Sequence, residues 1–269
     1  MEARTKNFKN VLLQWYKKNK REYSWRHISD PWSIYLIEVI SQQTQLERAD
    51  KYFRRFINEF PTPNDMATTS FKKILEIWSG LGYNSRAKRM FDSSKIIAEK
   101  SFDGLYPNFQ QLPGVGPYTE NAILSFAYNE KVITQDVNVK RIISRYFGVD
   151  NPKKYIDAVS PLLLKNTNSR KLNQALMDFG SSICKPRSPL CLDCPLEDTC
   201  DKYFNFETKP SEKFSGSNRE IRGNLIKLLL KKGALKVKTI QQELDIDKDR
   251  LNEILEKMQK DGLVILDNN

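Results

Sequence analysis

Two short stretches of this 269-residue chain hold residues whose types and spacing could do chemistry. The first is LPGVGPYTENAI, residues 112–123, a glycine hairpin running into a helix. Gly114 and Gly116 let the backbone come close to a partner such as a phosphate. Tyr118, between Pro117 and Thr119, stands just inside the helix, where a catalytic group, a wedge or a core residue would each fit. The second stretch is CKPRSPLCLDCPLEDTC, which holds all four cysteines of the chain. Cys184, Cys191, Cys194 and Cys200 follow the spacing C-x6-C-x2-C-x5-C. Such clustering reads as metal binding rather than disulfides. Four thiolates suit either tetrahedral zinc or an iron–sulfur cluster. Pro186, Pro189 and Pro195 punctuate short loops, the pattern of a compact structural knot without an open coordination position. Lys185 and Arg187, in the longest loop, could project toward a phosphate backbone. The one histidine, His27, leaves Ser-His-Asp, Cys-His and multi-histidine sites hard to build, and a structural role is expected for it.

The net charge is +11, and its distribution matters. Residues 211–269 hold 12 Lys and Arg against 10 Asp and Glu, leaving 32 against 23 in the first 210 residues. The basic excess therefore belongs to the body of the chain, not to a cationic tail. Nucleic acid is the natural partner of such a surface, because each neutralised phosphate releases counterions. No apolar run approaches the length of a membrane helix. The N-terminal stretch has Phe8, Val11, Leu12 and Trp15 at helical spacing but no cleavable signal pattern, so an intracellular protein with no membrane partner is expected.

The elements that must position these residues read as helices. Residues 31–60 repeat apolar positions at three and four, bounded by Pro31 and Pro61. Further helices are expected over 70–83, closing on Gly80 and Gly82, and over 84–100, capped by Asn84 or Ser85. The segments 107–129, 137–149 and 169–184 complete an all-α set, with no alternation fit for a central sheet. Residues 207–218 are polar and rich in Ser, Pro and Gly, and read as a linker. Beyond it, two helices, a break at DID, a longer amphipathic helix and a short strand GLVIL have the order of a winged helix with a reduced wing.

These residues resemble the helix–hairpin–helix DNA glycosylases of the endonuclease III superfamily. LPGVG (112–116) is similar to the family's phosphate-gripping turn, and ITQDVNVKR (133–141) to the segment carrying its catalytic aspartate. The cysteine spacing is similar to its [4Fe–4S] pattern, which decides against zinc. Within the superfamily, YLIEVISQQTQ (35–45), GLGYNSRAKRM (80–90) and MDFGSSIC (177–184) resemble the MutY-type adenine glycosylases. Two features depart from that type. Val137 stands where a small residue usually follows the aspartate, and a winged-helix-like segment replaces the larger domain that reads 8-oxoguanine. The resemblance implies an all-α fold of two helical lobes with an iron–sulfur cluster, over residues 1–206. One lobe, about 30–136, would hold the hairpin; residues 1–29 with 137–206 would form the cluster lobe. Residues 219–269 would form the small C-terminal winged-helix-like domain.

The resemblance also implies roles. A base inside a duplex must be extruded before excision and its gap filled. Gln42 and Tyr83 suit that filling, with Gln43, Leu112, Gly114, Val115, Gly116, Lys185 and Arg187 as further DNA contacts. Glu38, among Leu36, Ile37, Val39 and Ile40, would be kept protonated by burial and act as general acid. Gln42 would share its helix face one turn later. Asp136, ahead of a helix and beside Asn138, would stay ionised and stabilise an oxocarbenium-like sugar. Tyr118 takes the place of the Schiff-base lysine of strand-cleaving members, so base removal without strand cleavage is expected. The expected substrate is double-stranded DNA with adenine opposite guanine or 8-oxoguanine, bound by a monomer in the cytoplasm at the nucleoid. The alternatives are a thymine/uracil–guanine mismatch glycosylase and a non-catalytic DNA-binding iron–sulfur regulator.

Overall fold

The computed structural model describes residues 1–205 and 213–267, and among these thirteen α-helices follow one another without a β-strand. In chain order they begin with α1 (Glu2–Asn19), α2 (Pro31–Ser41), α3 (Leu46–Glu59), α4 (Pro63–Ala67) and α5 (Phe71–Trp78). Next come α6 (Ser85–Leu105), α7 (Pro117–Phe126), α8 (Val137–Phe147), α9 (Pro152–Leu164) and α10 (Ser169–Ser182). The last three are α11 (Asn218–Lys232), α12 (Val237–Leu244) and α13 (Lys248–Lys260). No described helix is long and apolar enough to cross a membrane. The chain divides into two compact units. One joins Met1–Tyr35 to the chain from Val115 through the cysteines; the other joins Leu36–Gly114 to the C-terminal helices.

In the first unit, α1 buries Phe8, Leu12 and Tyr16 at four-residue spacing and packs on α9 and α10. Val11 and Trp15, expected on the same face, are partly buried against that core. The core continues through Ile142 and Ile143 of α8, Val159 and Leu163 of α9, and Leu172, Leu176 and Phe179 of α10. Asp178 on α10 is fully buried and accepts hydrogen bonds from Arg21 and Arg26, which ties the loop after α1 to α10. A buried carboxylate of this kind persists only when paired.

In the second unit, the α3 stripe Ala49, Phe53 and Phe56 is buried, and Phe56 meets Trp78 of α5 edge-on at 5.8 Å. Helices α4 and α5 both pack on α6, and a reciprocal Thr62–Asp65 capping box starts α4. The C-terminal helices α11–α13 bury Leu225, Ile226, Ile240, Leu251, Ile254, Leu255 and Met258 among themselves and against α5.

Three expectations change, and one helix is additional. Residues 31–60 form two helices, because the chain turns at residues 42–45, with Gln43 at φ 54. Helix α6 runs to Leu105, although Ser101 at φ 59 kinks it just where the sequence stops being periodic. Helix α9 was hidden by Pro161, which sits within it. GLVIL is not a strand: Leu263 is buried and Ile265 exposed, although a strand would put both on one face, and among the described residues no second strand is present to pair with it. Of the expected linker, residues 207–212 lie outside the described residues, and 213–217 form a turn leading into α11.

Candidate functional site

The second unit holds one set of the expected residues. Glu38 is buried on α2 among Ile37, Val39 and Ile40. The helix ends at Ser41, so Gln42 begins the turn after it and does not share a helical face with Glu38. Gln42 is half-buried and Gln43 exposed. The second loop, residues 79–84, holds Gly80 at φ 99, Gly82 at φ 71 and Tyr83 at φ 47. A Cβ on Gly80 would approach Tyr52 Oη to 2.8 Å, so glycine is required there both by conformation and by space. Positive φ at Gln43 and Tyr83 is costly for residues with side chains and persists only when the surroundings fix it.

The fixing group is Arg86, which sequence reading missed. Its buried guanidinium donates to Val39 O and Ile40 O, both at 3.1 Å, and to Gln42 O. Its other terminal nitrogen lies 3.4 Å from Leu81 O and 3.3 Å from Gly82 O. The same group lies over the rings of Trp78 (4.9 Å) and Tyr83 (5.5 Å). One cation thus caps the carbonyl end of α2 and holds both loops. Burial pulls Arg86 down to about 10. A signal existed: Arg86 shares a helical face with Met90, Ser93 and Ile97, all buried.

The hairpin differs in part from expectation. Leu112 and Val115 are core residues, 1% and 7% exposed, so neither side chain is presented to a DNA partner. Gly114, at φ 79, is exposed and lies against Arg89, whose Cδ would stand 2.7 Å from a Cβ there. Among the described residues the amides of Gly114, Val115 and Gly116 donate to no backbone acceptor. Gly116 is the N-cap of α7, without a side-chain cap.

The first unit holds the remaining residues. Tyr118 is the half-buried second residue of α7. One turn later Asn121 bonds Ile133 O at 3.3 Å, which ties this helix to the segment ahead of Asp136. That segment is also held by buried Asn173, which accepts from Thr134 N at 2.9 Å and donates to Val132 O at 2.8 Å. Asp136 is the N-cap of α8 and accepts from Val139 N at 2.7 Å and from Asn138 Nδ2 at 2.8 Å. Burial raises its carboxyl above the usual carboxylate range, against the lowering effect of those bonds. Asn138 Oδ1 in turn accepts from Arg141 at 2.7 Å, and Arg141 donates onward to Gly180 O (2.7 Å) and Cys184 O (2.8 Å). Gly180 makes this possible, since a Cβ there would meet Asn138 Cβ at 2.6 Å. Val137 is exposed.

The four cysteines are half-buried and line one cavity with Ile142, Tyr146, Phe179 and Leu196. No His, Asp or Glu lines it. Burial pushes the Cys194 thiol up to about 11 and raises Cys200 as well, so thiolates here need a cationic partner. Arg145 supports the loop by donating to Lys185 O at 2.7 Å and Pro186 O at 2.8 Å, with Cys184 Sγ at 3.6 Å. Lys185 is half-buried and Arg187 exposed. His27 is exposed beside Glu22, 3.2 Å away, and belongs to neither group.

Residues 36–163 match the family described as HhH-GPD superfamily base excision DNA repair protein. The adenine DNA glycosylase of Buchnera aphidicola subsp. Baizongia pistaciae is 35% identical over 211 residues, covering 74% of this chain and 59% of that protein. That of Mycobacterium tuberculosis (strain CDC 1551 / Oshkosh) is 30% identical over 273 residues, covering 94% of this chain and 88% of the relative. A solved thermostable thymine-DNA glycosylase superposes with a TM-score of 0.66 at 27% identity, covering 75% of this chain and 97% of that one. The chain belongs to the HhH-GPD superfamily of base excision DNA repair proteins. Within it, the curated relatives described above carry the name adenine DNA glycosylase, and the chain spans just under 60% of the length of the first of them.

Proposed function

We propose that this protein is a monofunctional DNA glycosylase that removes adenine mispaired with guanine or 8-oxoguanine from double-stranded DNA. The observation that carries the reading is likeness to adenine DNA glycosylases along nearly the whole chain. Glu38, buried on α2, fits the role of acid to the departing purine. Asp136, fixed by Val139 and Asn138, fits that of the group facing the cationic sugar. The C1′–N9 bond breaks, water adds to C1′, and the base leaves with a proton. Tyr118 offers no amine for a Schiff base, so the strand stays intact.

In this reading Gln42 and Tyr83 enter the duplex, and the amides of residues 114–116 with Lys185 and Arg187 meet phosphates. The protein acts as a monomer in the cytoplasm, on the nucleoid. Residues 1–206 form the glycosylase domain and 219–269 a separate module. The four cysteines would hold a [4Fe–4S] cluster. The all-sulfur donor set supports this. Bound there, a cluster supplies the cationic charge that the buried thiolates require. Iron and acid-labile sulfide should then both be found at about four per chain.

Single-turnover excision on duplexes carrying A:8-oxoG, A:G, T:G and U:G pairs is the test. Excision confined to adenine is expected, and Glu38→Gln should abolish it while leaving DNA affinity intact. Excision of thymine or uracil alone would favour the second reading, which the thymine-DNA glycosylase likeness supports. Binding with no excision on any duplex would point to a regulator. Efficient nicking with a borohydride-trapped adduct would refute the monofunctional assignment.

A further inference from the structure

The C-terminal helices lie outside the family match and take no part in the chemistry above, yet they reach Tyr83. Arg219, the second residue of α11, donates a hydrogen bond to Tyr83 Oη. Its guanidinium centre lies 5.3 Å from the Tyr83 ring centroid and 5.4 Å from that of Phe214. Arg86 lies over the same Tyr83 ring from the α6 side, so two guanidiniums attend one exposed tyrosine.

The segment presenting Arg219 is itself held. Ser217 caps α11 by accepting from Glu220 N, and Glu220 accepts in turn from Gly216 N at 2.7 Å. From α13, Arg250 donates to Asn218 Oδ1 at 2.9 Å and to Gly216 O at 2.6 Å. The module is seated on the unit that carries Tyr83: Ile226 and Leu230 of α11 line one cavity with Phe71 and Leu75 of α5. Gly262 lies against the Lys88 side chain of α6, where a Cβ would stand 3.0 Å from Cε. A cation in the first turn of a helix opposes the macrodipole, so helix stability does not explain an arginine at this position. Its contacts with Tyr83 do.

We propose that Arg219 is a positioning residue for Tyr83, through which the C-terminal module sets the ring for insertion into the duplex. The proposal rests on the reading that Tyr83 fills the gap left by an extruded base. An exposed tyrosine on a glycine loop would have to be ordered as it inserts; a guanidinium that both lies over the ring and bonds its hydroxyl bears that cost beforehand. Lysine can supply the charge but not a planar group wide enough to lie over the ring and bond its hydroxyl at once.

The test uses the full chain and a duplex with A opposite 8-oxoG and 2-aminopurine as the flanking base. Fluorescence reports unstacking without requiring chemistry, and single-turnover excision is measured alongside. Arg219→Met should slow both by about tenfold, with Arg219→Lys in between. Affinity for undamaged duplex and the melting temperature should hardly move. In a Tyr83→Ala background, Arg219→Met should have no further effect, the non-additivity expected of one unit. Equal unstacking by Arg219→Met and the parent, or the same loss with and without the Tyr83 ring, would overturn the proposal. If the parent excises nothing yet unstacks the duplex, the glycosylase reading fails, and the fluorescence comparison still decides the role of Arg219.

Discussion

Replacing Arg86 with methionine tests the claim that one buried cation holds two loops. The stem volume is kept, and the guanidinium is lost. The carbonyls of Val39, Ile40 and Gln42 share the two hydrogens of one terminal nitrogen and all lose that donor, while the contacts to Leu81 and Gly82 are long and count for little. A hydrogen bond to a charged group contributes about 1.5–3 kcal/mol, and the orphaned carbonyls remain largely buried. Against this, the variant escapes the cost of burying the cation. Arg86 is pulled from 12.5 to about 10 by desolvation, which corresponds to about 3 kcal/mol. The balance is a net loss of about 3 kcal/mol, at the lower end for breaking one side of a buried ionic arrangement. In a chain of this size that lowers the melting temperature by about 8 °C. The loss is also local. Hydrogen exchange should accelerate at residues 42–44 and 80–83 before it does in α3 or α6, because the positive φ of Gln43 and Tyr83 is no longer enforced. Excision should fall more steeply than duplex affinity, since phosphate contacts elsewhere remain. Arg86→Lys should resemble the methionine variant, because one ammonium cannot fork between two loops. A methionine variant that melts within about 1 °C of the parent, with both loops still protected, would refute the reasoning.

Two further substitutions probe the Asp136 chain. Asp136 is raised by burial, so folding favours its protonated form; that contribution is complete below the ordinary carboxylate range and lost as pH rises through the raised value. Asp136→Asn should therefore be more stable than the parent at neutral pH, with the difference shrinking on acidification toward about pH 4, while excision falls by about a thousandfold. Denaturant unfolding of both proteins across that range checks the sign. Gly180→Ala would gain helix propensity in isolation, but its Cβ meets Asn138 at 2.6 Å and Ile142 at 3.2 Å, neither on a side chain free to swing away. It should cost about 2 kcal/mol and slow excision by displacing Asn138 from Asp136, which thermal melts and single-turnover rates would show.

What could be read from the sequence was whatever acts over a few residues or repeats with a period. Asp136 caps α8 because a carboxylate three residues ahead of Val139 meets its amide whatever the rest of the chain does. The cysteines share a cavity, as the clustering of all four in one short proline-punctuated segment leads one to expect. The face of α1 and the order of α11–α13 follow from apolar spacing in the same way. Local patterns also misled where a second partner was needed. GLVIL is an apolar run of the kind a strand uses, and among the described residues it has no strand to pair with; Gln42 stands four residues after Glu38, but the helix has ended.

The groups that join the site together are long-range, and nothing near them in sequence names their partners. Arg86 reaches carbonyls 44 to 47 residues away, and Arg219 reaches a hydroxyl 136 residues away. An arginine on an apolar face announces only that its charge must be satisfied somewhere. Where that is depends on which loops the packing of α2, α5 and α6 leaves with unbonded carbonyls. This is why Glu38, Gln42 and Tyr83 could be picked out as single residues, whereas the clamp that fixes their loops emerged only with the fold. The same logic ranks the substitutions. Changing a residue expected to touch DNA should alter excision at constant stability, and changing the clamp should alter both. If Arg86→Met and Tyr83→Ala lost excision equally but only the former lost stability, the separation between contact and clamp would hold.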